Sequence, residues 1–148
     1  MGYEIERKFL VGTMPENLAQ YDFHLIEQAY LTTEPTIRVR REDDTYYMTY
    51  KGKGRIVHEE YNLPLTKEAF EHLLPKADGK IIQKVRYRIP LEGYGDLVGE
   101  LDIFTLPKPL TMIEVEFPDE KTARGFVAPA WFGEEVTDNP AYHNSRMI

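Results

Sequence analysis

Hydrophobic and polar residues alternate with period two through most of the chain, the spacing that sends successive side chains to opposite faces of a β-strand. In the first ten residues Tyr3, Ile5 and Phe9 share one face, and Glu4, Glu6 and Lys8 share the other. Residues 24–31 read as a second strand, ended by the Glu34-Pro35 turn. Residues 36–41 read as a third, with Ile37 and Val39 opposite Arg38 and Arg40. Asp43-Asp44 supplies a hairpin turn into 45–51, where Tyr46, Met48 and Tyr50 oppose Tyr47, Thr49 and Lys51. Four more strands are predicted over 57–63, 80–89, 97–104 and 112–117. Their polar faces carry, in turn, His58, Glu60 and Asn62; Lys84, Arg86 and Arg88; Glu100 and Asp102; Glu114 and Glu116.

Helical signals are short. Thr13 with Pro15 and Glu16 starts a helix over about 15–20, with Leu18 as its apolar contact. Thr66 caps a second over about 67–74, whose stripe is Ala69, Phe70, Leu73 and Leu74 and whose stop is Pro75. Asp119 caps a third through about Val127, carrying Phe126, before 129–133 packs aromatics near an end of the sheet. Lys51-Gly52-Lys53-Gly54-Arg55 lacks the glycine spacing and following helix of a phosphate-cradling loop and reads as a flexible hairpin. Eight strands joined mostly by short turns predict a mainly β (α+β) fold, an eight-stranded antiparallel β-barrel with a few short covering helices.

Composition narrows this picture. A chain of 148 residues, 42% hydrophobic and 29% charged, is that of one globular domain spanning 1–148. A net charge of -7 argues against nucleic acid or an anionic membrane as the main partner. The absence of cysteine removes disulfides and thiolate chemistry and fits a reducing compartment. With no long apolar run and charges beginning at Glu4, the expected location is cytoplasmic. The four histidines show no metal-ligand spacing.

For any single strand, a polar face is most simply the solvent side of a sheet. As a set, the faces resist that reading, because the signs segregate by strand. Arg38/Arg40 and Lys84/Arg86/Arg88 stand against Glu100/Asp102 and Glu114/Glu116. Like charges two residues apart on a strand, about 6.5–7 Å, repel by roughly 0.6 kcal/mol in water and about 2.4 kcal/mol at an effective dielectric of 20. Inside a barrel such a pattern calls for something of opposite sign between the charges. Lined-up cations suit a polyanion, and clustered carboxylates suit hard divalent cations such as Mg²⁺ or Mn²⁺. The inward candidates are seven cations (Lys8, Arg38, Arg40, Lys51, Lys84, Arg86, Arg88) and seven anions (Glu4, Glu6, Glu60, Glu100, Asp102, Glu114, Glu116).

Glu4-x-Glu6-x-Lys8 resembles the signature of the CYTH superfamily, the triphosphate tunnel metalloenzymes. The likeness extends in order through Arg38-x-Arg40, Thr49-x-Lys51, Glu60, Lys84-x-Arg86, Glu100-x-Asp102 and Glu114-x-Glu116. The ending from Trp131 through Asn144 and Ser145 is similar to that of short bacterial members. The resemblance implies a tunnel-shaped barrel, a linear triphosphate substrate and a requirement for Mg²⁺ or Mn²⁺, as two ions. It makes Glu4, Glu6, Asp102, Glu114 and Glu116 metal-facing, with Glu100 in the same acidic pair as Asp102. Lys8, Arg38, Arg40, Lys51, Lys84 and Arg86 bind phosphates, with Arg88 third in its line. Glu60 assists at the metals or orients a basic neighbour. Tyr30, on the face of Ile26 and Gln28, either partners Lys8 near the attacking water or fills one tunnel mouth.

Two departures from the family pattern stand out. Asn62 occupies the position where many relatives show a second carboxylate after Glu60, and the chain stops soon after Asn144, where many continue into a further helix. The activity implied is metal-dependent hydrolysis of inorganic tripolyphosphate to pyrophosphate and phosphate, with Lys8, Tyr30 and Glu60 nearest the chemistry. The alternatives are a thiamine triphosphatase, a nucleoside triphosphatase, a class IV-type adenylate cyclase, or a non-catalytic module that binds polyphosphate or nucleotide. Similar enzymes are often dimeric, so a homodimer is an expectation to test.

Overall fold

A computed structural model describes residues 3–54 and 56–143. Its strands are β1 (Tyr3–Val11), β2 (Asp22–Thr33), β3 (Thr36–Glu42), β4 (Thr45–Lys51), β5 (Val57–Pro64), β6 (Asp78–Pro90), β7 (Val98–Leu106), β8 (Leu110–Glu116) and β9 (Phe132–Glu135). Two α-helices, α1 (Lys67–Leu73) and α2 (Glu120–Gly125), lie between them. Neighbouring strands run in the order β5-β4-β3-β2-β6-β7-β8-β1, all antiparallel. Pairing of Tyr3 with Glu59 and Ile5 with Val57 closes this sheet into an eight-stranded barrel. The expected mainly β barrel is what forms.

Three local expectations are corrected. The strand β9 was not predicted, since Trp131-Phe132-Gly133-Glu134-Glu135 lacks alternation. It forms because β1 runs on past β5 and leaves an open edge, which Phe132 and Glu135 fill opposite Val11 and Phe9. The helix expected over 15–20 is only a 3-10 turn, Leu18–Gln20, because Asn17 adopts φ 57° and breaks any preceding turn. The segment from Asp119 stays helical only to Gly125, after which Phe126 turns extended (φ -71°, ψ 125°). Near its expected end α1 passes into a 3-10 turn, Leu74–Lys76, that contains Pro75. Met1 and Gly2 of the first predicted strand, Arg55 of the glycine-containing turn, and Asn144 and Ser145 of the C-terminal resemblance lie outside the described residues. Among the described residues no helix is long and apolar enough to cross a membrane.

The main apolar core lies outside the barrel wall. Phe9, Leu101, Ile113 and Val115 project outward from β1, β7 and β8 and are covered by Ala123, Phe126, Phe132 and Phe117. Phe126 is the hub, with ring centroids 5.2 Å from Phe117, 5.3 Å from Tyr94 and 6.1 Å from Phe9. Arg7 sits on this same outer face. Its Nη1 donates to the carbonyls of Ala123 and Phe126 at the end of α2, while Nε and Nη2 grip Glu135 of β9. One side chain thereby ties the covering helix and the added strand to β1. With the apolar faces satisfied outside, the inward faces are left to polar groups, apart from a plug of Tyr30, Ile82, Phe104 and Met112 packed with Leu10, Leu110 and Tyr142.

The helix α2 is six residues long, too short to hold itself together without a cap. Asp119 supplies one, accepting from the Thr122 amide at 2.7 Å. Asp119→Ala is expected to lower the midpoint of a denaturant titration, with no change in lumen chemistry.

Candidate active site

Closure places the two charge sets on opposite walls. The consecutive strands β5, β1, β8 and β7 turn Glu60, Glu4, Glu6, Glu116, Glu114, Glu100 and Asp102 inward, and the consecutive strands β6, β2, β3 and β4 turn Lys84, Arg86, Arg88, Arg38, Arg40 and Lys51 inward. Lys8 is the one cation of the acidic wall. Between the walls runs a cavity of about 810 Å³. It reaches from His24, Glu42 and Arg88 at the end marked by the β3–β4 turn to Thr33, Glu34 and Gly54 at the end marked by the β2–β3 turn. Every candidate metal, phosphate or catalytic residue named from the sequence lines it except Lys84 and Asp102.

Those two face inward but are buried from the cavity, each 2% exposed, with Lys84 Nζ 5.0 Å from the ring centroid of the plug residue Phe104. Lys84 Nζ is 2.8 Å from Asp102 Oδ2, and Arg86 grips the same carboxylate with both Nε (2.8 Å) and Nη2 (2.9 Å). Burial works to raise the Asp102 pKa, but Arg86 and Lys84 outweigh it and hold the group below its ordinary value. With one carboxylate serving two cations, burial brings the Lys84 ammonium down to about 7, Arg86 and Arg40 adding to the effect against the pull of Asp102. Both Asp102 oxygens are therefore committed to protein donors.

On the acidic wall Lys51 Nζ reaches across the barrel closure to Glu4 at 2.6 Å and Glu6 at 3.4 Å. Burial would lower the Lys51 pKa, yet Glu6 and Glu4 overcome it and raise it. Burial raises Glu4, and a hydrogen bond with Glu60 adds to it, against Lys51. Glu6 is raised well above its ordinary value by burial and by Glu114, with which it shares a hydrogen bond. Glu114 is the low partner: despite burial, Lys8 and that shared hydrogen bond keep it well below the usual carboxylate range. Glu116 is raised by burial and by Glu4, Glu100 and Glu114. Along this wall burial raises Glu4, Glu6 and Glu116, neighbouring carboxylates add to it, and Glu114 stays low.

Other cations are engaged to differing degrees. Lys8 Nζ donates to the Tyr142 carbonyl at 3.1 Å and stands 3.6 Å from Glu114. Arg88 pairs with Glu100 at 2.8 Å and Arg86 reaches the same group at 3.6 Å. Arg38 meets the Thr49 hydroxyl at 3.2 Å, and Arg40 meets Gln28 Oε1 at 2.7 Å and the Tyr47 hydroxyl at 3.3 Å. The Tyr30 hydroxyl accepts from Gln28 Nε2 at 3.3 Å, and its ring packs in the inner plug while lining the cavity. Asn62 donates to Glu60 at 3.4 Å and accepts from Thr49 at 2.6 Å, spending its amide on protein partners.

Sequence pattern assigns no site role to Gln28, Tyr47 or His24, which share these inward faces, and Thr49 enters it only within Thr49-x-Lys51. His24 Nδ1 lies 2.6 Å from Asp43 at the cavity rim. Period-two parity with Arg38, Lys51 and Tyr30 was the available signal, but uncharged side chains on a polar face carry no mark of their own.

The donor set suits a hard divalent cation. Glu4, Glu6, Glu100, Glu114 and Glu116 offer oxygen ligands from one wall of the cavity, and burial, reinforced by neighbouring carboxylates, raises the proton affinity of Glu4, Glu6 and Glu116. Among the described residues no three carboxylate or imidazole groups stand as a preformed cage. The acidic groups instead lean on Lys51, Lys8, Arg86 and Arg88, or on one another.

Comparison with known proteins agrees with this architecture. The CYTH domain model matches residues 2–128. An inorganic triphosphatase of Nitrosomonas europaea is 40% identical over 151 residues, covering 97% of this chain and 95% of the relative. An inorganic triphosphatase of Acetivibrio thermocellus is 34% identical over 155 residues, covering 100% and 94%. A crystal structure of an inorganic triphosphatase superposes with a TM-score of 0.70 at 37% identity, over 97% of this chain and 92% of the other.

Proposed function

Because the chain belongs to the CYTH domain family, we propose that it is a metal-dependent triphosphatase that hydrolyses inorganic tripolyphosphate to pyrophosphate and phosphate inside its barrel. The observation that carries this reading is the cavity with a carboxylate wall facing a guanidinium and ammonium wall. A linear triphosphate is a polyanion with no apolar part, and the lumen offers it charge along its whole length. Arg38 and Arg40 grip phosphate oxygens in the bidentate manner that guanidinium allows, and Lys8, Lys51, Arg86 and Arg88 add charge along the chain. Lys84 supports the grip from behind through Asp102.

In this reading Glu4, Glu6, Glu100, Glu114 and Glu116 hold the cofactor, Mg²⁺ or Mn²⁺ as two ions. When bound it neutralises phosphate charge and makes a water molecule more acidic. The carboxylates' own task is to give up the proton held between Glu6 and Glu114 and to release Lys51 toward substrate. Glu60 keeps Glu4 and Asn62 in place, and Lys8 stays aligned by the Tyr142 carbonyl. The whole of residues 1–148 works as one CYTH domain, and we place it in the cytoplasm, acting on a small molecule without nucleic acid or membrane, as a homodimer.

Phosphate release from tripolyphosphate, thiamine triphosphate and ATP, each with Mg²⁺, Mn²⁺ or EDTA, tests the proposal. The expected result is metal-dependent release that is fastest from tripolyphosphate. Faster release from an organic triphosphate would move the substrate. Cyclic AMP from ATP would replace hydrolysis by cyclisation.

A further inference from the structure

Five of the seven lumen cations already have carboxylate partners: Lys8, Lys51, Lys84, Arg86 and Arg88. The two arginines of β3 are different. Among the described residues Arg38 meets no carboxylate, and its Nε is buried with no hydrogen-bond partner. Arg40 reaches Glu42 only at 4.0 Å, and Glu42 is engaged by the Tyr47 hydroxyl. Both arginines are buried, at 7% and 5% exposure, and both line the cavity. Two neighbouring guanidinium groups, one meeting no carboxylate among the described residues and the other only at 4.0 Å, are costly to bury unless a ligand completes them.

What holds them is uncharged. Gln28 is fully buried, and its Oε1 accepts from Arg40 Nε at 2.7 Å. Its orientation follows from its other end, where Nε2 donates to the Tyr30 hydroxyl. Thr49, also fully buried, spends its hydroxyl proton on Asn62 Oδ1 at 2.6 Å, so a lone pair is what remains for Arg38 Nη2 at 3.2 Å. Resting on the triphosphatase reading, we propose that Gln28 and Thr49 are positioning residues whose neutrality matters. They fix Arg40 and Arg38 in direction while leaving both charges available to a phosphate group. A carboxylate at either place would hold the arginine equally well and cancel its charge. The β3 pair then accepts phosphate without metal, whereas the remaining cations must first give up a carboxylate.

Gln28→Glu separates positioning from packing, because it keeps the shape and puts a carboxylate against Arg40. Tripolyphosphate binding, measured by calorimetry in EDTA, is expected in the parent and about tenfold weaker in Gln28→Glu. With metal, KM for tripolyphosphate should rise by a similar factor while kcat stays within about twofold, and the melting temperature should hold or rise. Thr49→Val, which removes only the hydroxyl, should raise KM several-fold, and Thr49→Ser should restore it. If Gln28→Glu fails to fold, the Thr49 pair decides the matter. Unchanged tripolyphosphate affinity in Gln28→Glu or in Thr49→Val, or no parent binding in EDTA, would overturn the proposal. Turnover by the parent with unaffected variants removes the positioning role and leaves the triphosphatase reading intact. Binding without turnover in the parent, weakened in Gln28→Glu, does the reverse.

Discussion

Replacing Asp102 with alanine is expected to cost about 3–5 kcal/mol of stability, the loss seen when one partner of a buried ionic cluster is removed. Arg86 would lose both bonds to Asp102, and Lys84 would lose its ion-pair partner at 2.8 Å. At this chain length the melting temperature should fall by roughly 10–15 °C. The pH dependence follows from Lys84, whose folded pKa is already lowered to about 7. A lysine lowered on folding binds fewer protons in the native than in the unfolded state between its two pKa values, so that contribution to stability grows as pH rises through that window. Without Asp102 the ammonium is held still more weakly. Below about pH 7 the parent keeps a proton on Lys84 that the variant sheds, so the deficit should be widest there and narrow above it. Thermal melts of Asp102→Ala and the parent at several pH values would check this. A deficit below about 1 kcal/mol, or one independent of pH, would show that the cluster is not the support it is taken to be.

Glu6→Gln is expected to cut metal-dependent phosphate release from tripolyphosphate by more than ~100-fold, beyond the 10–100-fold typical of losing an outer partner of a metal ligand. It should do so without unfolding the protein. Glutamine keeps the shape and can still bond to Glu114, and it removes the buried charge whose desolvation, with Glu114 beside it, raises the Glu6 pKa. In the parent, a native carboxyl with a raised pKa binds more protons than the unfolded chain between the two values. Its metal-free stability therefore falls as pH rises through that window, and Glu6→Gln should flatten this slope. Divalent cations require the deprotonated form, so their binding should release protons and tighten with rising pH. Calorimetry in buffers of different ionisation enthalpy would count the protons. The variant should bind metal weakly and release fewer. Parent-like turnover at limiting Mg²⁺ would remove Glu6 from the metal site.

Much of the molecule was already present in local pattern. Period-two alternation determined the eight barrel strands and which side chains share a face, because alternation is a property of each strand's own backbone. Segregation of sign by strand determined that the inward surface would be divided, since Arg38 with Arg40, and Glu114 with Glu116, need no other segment to be read as pairs. Tertiary structure alone decided which pairs meet. Lys51 finds Glu4 and Glu6 only because β5 closes on β1, and Asp102 disappears behind Lys84 and Arg86 only because β6 lies beside β7. The edge that calls β9 into being, the outer core around Phe126, and the neutral seats of Arg38 and Arg40 arise in the same way. Periodicity is set within a few residues of backbone, whereas partner choice depends on strand order, stagger and closure, which join residues far apart in the chain.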